Sequence, residues 1–178
     1  MNSEKSKIDN QQESSDLIKD LSWLGGILDG EGTLTLRFHN RKNKTPIVTP
    51  VVSVVNTDEK IINEVIRIYK ENNIAYWVSA REAHKTWKKA WSLQTVGLKR
   101  CIRLVNLIEE YLIGKRENAE IIKRFCDKRL DNTTGKHRRP YYDKEDYEML
   151  VRIKSLHGHK GLKSSETIRQ MQDNLVKI

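Results

Sequence analysis

The chain is poor in what builds cross-linked or membrane-spanning proteins. Two cysteines, Cys101 and Cys126, stand among 178 residues, in helix-like stretches and without a CxxC spacing. That excludes a disulfide framework and gives no zinc motif, so both are expected as reduced thiols. No run approaches the roughly 20 apolar residues that a membrane span needs. Met1 to Ser15 is polar and lacks the apolar stretch of a secretory signal. The expectation is an intracellular protein, cytoplasmic or, in a eukaryote, organellar, with no membrane partner. Apolar residues make up 37%, a low share but enough for one compact core.

Charge is abundant. Charged residues reach 32%, the net charge is +9, and the pI is about 9.5. Such a balance favours a polyanion partner, nucleic acid before an anionic membrane. Three histidines, His137, His157 and His159, fit no common metal-ligand spacing and read as surface residues. The four tryptophans (Trp23, Trp77, Trp87 and Trp91) read as core and hairpin packing.

Three segments are expected: a disordered N-terminal stretch 1–15, a core 16–130, and a basic linker with a helical C-terminal extension 131–178. Residues 1–15 have almost nothing to bury. A helix over 17–29 follows from Leu17, Leu21, Leu24 and Leu28 at helical spacing. Residues 33–41 alternate strictly, with Leu34, Leu36 and Phe38 on one face, and 47–55 form a second strand. A helix opens near Asp58 and runs to about Asn72. Strands over 74–83 and 87–96 follow, with Trp91 and Leu93 inward. Helices over 98–112 and 116–129 close the core. In the tail, helices over 143–156 and 164–176 are expected. The fold class is α+β: an αββαββα core with a four-stranded antiparallel sheet, helices on one face and a polar, basic face on the other, plus the C-terminal helical extension.

The most informative stretch is Leu24-Gly25-Gly26-Ile27-Leu28-Asp29-Gly30-Glu31-Gly32. Glycine costs about 1 kcal/mol against alanine inside a helix, so this density needs a reason. Gly26 and Gly30 are four apart and share a face. A face without side chains lets another helix come very near, with Asp29 and Glu31 at the foot of the contact.

The nonapeptide resembles the signature of the LAGLIDADG homing endonucleases. Leu24, Gly26, Asp29 and Gly32 match it outright; Glu31 stands where the pattern has its last aspartate. The resemblance extends over about residues 16–127, because the order of helices and strands also matches. One copy of the motif implies a homodimer, its interface carrying Leu24, Gly26, Ile27 and Gly30. The family's metal-binding acid and preceding carbonyl correspond to Glu31 and Gly30, for Mg²⁺ or Mn²⁺. Asn56, Lys60 and Lys115 fall where the family keeps a polar residue and bases near the scissile phosphates. The implied activity is site-specific cleavage of double-stranded DNA at a long pseudo-palindromic target, leaving short 3′ overhangs, in the service of intron mobility. An intron RNA maturase, with host intron RNA as partner, and a non-catalytic DNA-binding regulator are alternatives on the same fold.

The strand faces supply the candidates for DNA contact. Arg37, His39 and Arg41 alternate along the first strand, and Thr49, Ser53, Ser92 and Gln94 add hydrogen-bonding groups suited to base edges. Arg81 is the candidate on the third strand. Lys42, Lys44, Lys85, Lys88 and Lys89 gather at hairpin tips and suit phosphates, as do Arg138 and Arg139 in the linker.

Overall fold

Apolar alternation and helical spacing both need a common surface to bury against, and the chain provides it as one sheet covered by helices on one side. The computed structural model describes residues 2–41, 44–131 and 142–157. In chain order they form α1 (Asn2–Gly30), β1 (Gly32–Arg41), β2 (Lys44–Asn56), α2 (Glu59–Glu71), β3 (Trp77–Arg81), β4 (Ala90–Val96), α3 (Leu98–Ile108), a 3₁₀ turn (Glu109–Tyr111), α4 (Arg116–Asp131) and α5 (Lys144–Ser155). The sheet has the order β1-β2-β4-β3 and is antiparallel throughout. This is the α+β class with the four-stranded sheet read from the sequence.

The register sets the two faces. Leu34 and Leu36 of β1, Val52 and Val54 of β2, and Leu93 of β4 are fully buried and join the helices in one core. Onto them pack Ile62, Val65, Ile68 and Tyr69 of α2, Cys101, Leu104, Val105 and Ile108 of α3, and Ala119, Ile122, Phe125 and Cys126 of α4. Each set recurs at three- and four-residue spacing, the stripe that a half-buried helix shows. Burial pushes the Cys101 thiol up to about 12, so it is inert packing rather than a nucleophile.

The α1 start and the β3 span differ from the sequence reading. α1 starts at Asn2, upstream of the expected start near 17, because its Glu, Lys and Gln residues are good helix formers contiguous with a packed helix. β3 covers Trp77–Arg81 rather than 74–83. Residues 72–74 instead end α2: Asn73 takes a left-handed conformation (φ 54°) and the Ile74 N–H donates to the Tyr69 carbonyl at 2.8 Å. Pro50 sits inside β2 at little cost, since β4 pairs only with Val51 to Asn56 and no ladder bond is lost on that side.

The tail joins the core. α5 opens on a capping box between Asp143 and Asp146, and its Leu150 and Ile153 are fully buried in the same cluster. The Tyr142 ring stacks on Phe125, and its hydroxyl accepts from the Val48 N–H at 2.9 Å, in the part of β2 beyond the reach of β4. The helix expected over 164–176 lies outside the described residues.

Two adjacent glycines of α1 have opposite surroundings. A Cβ on Gly25 would stand 2.6 Å from the Tyr111 carbonyl oxygen, while a Cβ on Gly26 would meet nothing within 4 Å. Gly25→Ala is therefore expected to lower the unfolding free energy by about 1–3 kcal/mol. Gly26→Ala should leave it unchanged or raise it by up to about 1 kcal/mol. Urea denaturation of both variants at low protein concentration checks the contrast.

Candidate active site and nucleic-acid interface

α1 ends at Gly30, where the chain turns sharply into β1. A Cβ on Gly32 would stand 2.5 Å from the Leu28 carbonyl oxygen, so the turn needs a bare backbone. The last carbonyls of a helix and the first amides of the next lack internal partners. Here the two deficits meet. The Asp29 carboxylate accepts the backbone N–H groups of Ile113, Gly114 and Lys115 at 2.7, 3.0 and 2.9 Å, just ahead of α4. In return the Lys115 amine donates to the carbonyls of Leu28 and Asp29 at 2.8 and 2.5 Å. Each helix end supplies the charge that the other's dipole favours.

The electrostatics follow this clasp. Burial alone would raise the Asp29 pKa, but the three N–H bonds and the Lys115 charge outweigh it and hold the carboxyl below its usual 3.8. Burial lowers the Lys115 pKa, and the negative charges of Asp29 and Glu31 only partly oppose it. Glu31 itself stays exposed; its N–H closes the helix on the Ile27 carbonyl at 2.8 Å.

Beside this end of α1 runs a bare helix face. Gly26 and Gly30 are exposed and open, Ile27 is half-buried, and Trp23 is among the exposed apolar residues. Leu24 is not part of it: it is fully buried in the core on the opposite side of the helix. Among the described residues no three His, Cys, Asp or Glu side chains converge as a metal cage. One chain thus offers a hard cation the Glu31 carboxylate and the carbonyl at Gly30. That donor chemistry suits Mg²⁺ or Mn²⁺, which take hard oxygen ligands and keep several waters.

Asn56 lies at the same end of the sheet, because Val54 pairs with Gly32 at the start of β1. Its Oδ1 accepts the Asp58 N–H at 2.8 Å, which leaves one lone pair and the amide N–H₂ group to face a ligand. Lys60 is exposed in the first turn of α2, where its backbone N–H is capped by Asp58.

Alternation puts Thr33, Thr35, Arg37 and His39 of β1, Thr49 and Ser53 of β2, Ser92 and Gln94 of β4, and Arg81 of β3 on the face away from the core. Arg37 donates to Gln94 at 3.4 Å and Gln94 to Ser92 at 3.2 Å, so these three form one chain of donors across strands. Lys85 and Lys88 are exposed at the β3–β4 tip; Lys89 is paired with Glu82 at 3.3 Å. Lys42, Arg138 and Arg139 lie outside the described residues, as do the side chains of Arg41 and Lys44.

Three features were not read from the sequence. Trp77 and Trp87 are exposed, at 61% and 60%, rather than packed; Trp77 stands on the outer face opposite Gln94, and Arg81 lies 5.1 Å over the Trp87 ring. The alternation signal was sufficient to place Trp77, had β3 been given its shorter span. His157 is half-buried rather than at the surface, its pKa lowered by burial and by the charges of Lys154 and Lys115. Lys154 reaches from α5 to the Thr35 hydroxyl at 3.3 Å. No local pattern in the tail announces either contact.

No family model matches the chain, and no curated protein does. Solved structures do. The homing endonuclease I-CvuI in complex with its target is similar at 19% identity and a TM-score of 0.60, over 90% of this chain and 96% of that one. The archaeal intron-encoded homing endonuclease I-Vdi141I, complexed with DNA, is similar at 12% identity and a TM-score of 0.61, over 86% and 96%. The LAGLIDADG homing endonuclease I-GzeII in complex with a DNA target is similar at 17% and 0.53; there 78% of this chain covers only 44% of that chain. The structural neighbours are LAGLIDADG homing endonucleases, and the chain has their fold.

The clasp makes a pH-dependent prediction. A carboxyl whose pKa is depressed by folding stabilises the fold fully above its unfolded value, and that stabilisation is lost as pH falls through the lower folded value. Asp29→Ala is expected to cost about 1–2 kcal/mol at pH 7, as loss of a helix cap does. The gap between variant and wild type should close as the pH drops below 3.8. Urea titrations at neutral and acid pH measure both.

Proposed function

We propose that the chain is one subunit of a homodimeric, divalent-metal-dependent endonuclease of the LAGLIDADG type, cutting both strands of a long, pseudo-palindromic DNA target. One observation carries the reading. The open face of Gly26 and Gly30 ends at an exposed Glu31, while the neighbouring acid, Asp29, is fully engaged in capping. A second α1 laid against that face brings two Glu31 carboxylates and two Gly30 carbonyls together on a two-fold axis. The I-GzeII comparison supports this stoichiometry, since this chain spans about half of that protein's length.

When bound, Mg²⁺ or Mn²⁺ would supply charge stabilisation at the phosphate and a water of lowered pKa. Glu31 and the Gly30 carbonyl would hold it. Lys115 has three N–H donors and spends two on α1 carbonyls. The third is free for a phosphate oxygen. Asn56 offers its amide N–H₂ group to a water or phosphate, and Lys60 adds positive charge. The outer face of the sheet lies in the major groove, with Arg37, Gln94 and Ser92 held ready by their mutual hydrogen bonds. Short 3′ overhangs and intron mobility belong to the same reading.

Glu31→Gln should retain DNA affinity and lose cleavage by roughly a hundredfold or more, read by gel assay on a target selected from a random duplex library. A variant that cuts like wild type overturns the metal assignment. A wild-type chain that binds its selected target and never cuts it makes the protein a DNA-binding regulator instead. Gly26→Leu should convert the dimer to a monomer in sedimentation without lowering the melting temperature of the subunit. A wild-type monomer on DNA would break the shared-site mechanism.

A further inference from the structure

The outer face of the sheet carries more than the polar residues of a hydrogen-bonding surface. Ile47, Val55 and Trp77 are 37%, 47% and 61% exposed, three large apolar side chains left open to solvent. All three stand on the face away from the core. Ile47 pairs with His39, Val55 with Ser92, and Trp77 with Gln94. Each therefore neighbours a candidate base-reading side chain in the register. Val51, on the same face, is already 1% exposed and needs no partner; the other three are left uncovered.

Isolated apolar residues on a surface are ordinary. Here they alternate with donors and acceptors on one face of a chain of net charge +9, and that combination selects the occupant. In the major groove the thymine C5-methyl is the apolar group that base pairs present, and apolar side chains read it by contact. A protein partner would meet Arg37, His39 and Arg81 in the middle of its own apolar contact and would have to desolvate them. A duplex accepts both kinds of group in adjacent base pairs.

We infer that Ile47, Val55 and Trp77 are specificity-determining residues that read thymine methyl groups, so that each half of the target carries thymine at fixed, separated positions. The inference rests on the nuclease reading for the orientation of the sheet on DNA. Ile47 and Val55 are eight residues apart on β2, about 27 Å at ~3.4 Å per residue. That distance is too long for one base pair, so they read different ones. Val55 lies beside Asn56 at the catalytic end and reads near the centre of the target; Ile47 lies at the far end of the β1–β2 ladder and reads toward the flank.

The test needs only binding. Duplexes are selected from a random library by binding to the full chain, then resynthesised with deoxyuridine for thymidine one position at a time, which removes a methyl group and nothing else. Fluorescence anisotropy should show at least two positions in each half where the exchange weakens binding about four-fold, the worth of one buried methyl-sized group. Val55→Ala should make binding indifferent to the exchange at an inner position and leave the outer one sensitive; Ile47→Ala should do the reverse. Trp77→Ala should remove sensitivity at a third position. Melting curves should match wild type, since all three side chains are exposed. If uridine is accepted as well as thymidine throughout, or if the alanine variants keep full discrimination, the inference is overturned while DNA recognition stands. If the selection enriches no duplex, the nuclease reading fails first.

Discussion

The organisation of this chain depends on how two helix ends are joined. α1 stops where its backbone must turn into β1, and α4 starts where the chain leaves the turn after Leu112. Each end exposes unpaired backbone groups of one polarity. Asp29 and Lys115 exchange places: the acid at the end of α1 takes up the amides ahead of α4, and the base at the start of α4 takes up the carbonyls of α1. Five backbone groups are satisfied by two side chains, and the two helix dipoles are answered together. The position of Glu31 follows from this. With the α1 terminus fixed and Asp29 consumed, the acid two residues later is the one left facing solvent beside the bare glycine face.

The clasp also links the site to the core. Leu112, just before the turn, is fully buried; α3 packs on β2, from whose end Asn56 emerges, and α4 packs on β1. Asn118 of α4 is buried as well and donates to the Leu34 carbonyl of β1 at 3.2 Å. This end of the sheet is thus held by elements whose apolar stripes are committed elsewhere. A displacement of α4 would move Lys115 and β1 together.

The sheet divides its labour by face. The inner face is buried under five helices, and this burial fixes the register, since a one-residue slip would send Leu34, Leu36, Val52 and Val54 to the wrong side. Once the register is fixed, the outer face is fixed too, and its mixture of arginine, amide, hydroxyl and apolar groups is presented in a set order. Rigid presentation by β-strands is better suited to reading base edges than loops would be, because the spacing between side chains cannot relax.

Much of this was legible in the sequence. The alternation in 33–41 and 87–96 named the inward residues, the three- and four-residue spacing named the helices, and the glycines with Asp29 and Glu31 marked where α1 ends on a bare face. The same alternation that assigned Arg37 and Ser53 outward also assigns Val55 outward, because period-two patterning is a property of the strand itself. What the sequence could not decide was which distant groups meet. Residues 29 and 115 are joined only because α3 and the 3₁₀ turn return the chain to the end of α1, and Lys154 reaches Thr35 only because α5 folds back over β1. Leu24 and Gly26 sit in one motif, yet one is buried and the other open, since the sheet covers a single side of α1. Local periodicity is set by backbone geometry and survives in any context; long-range contacts are set by how the elements pack, and that exists only in the folded chain.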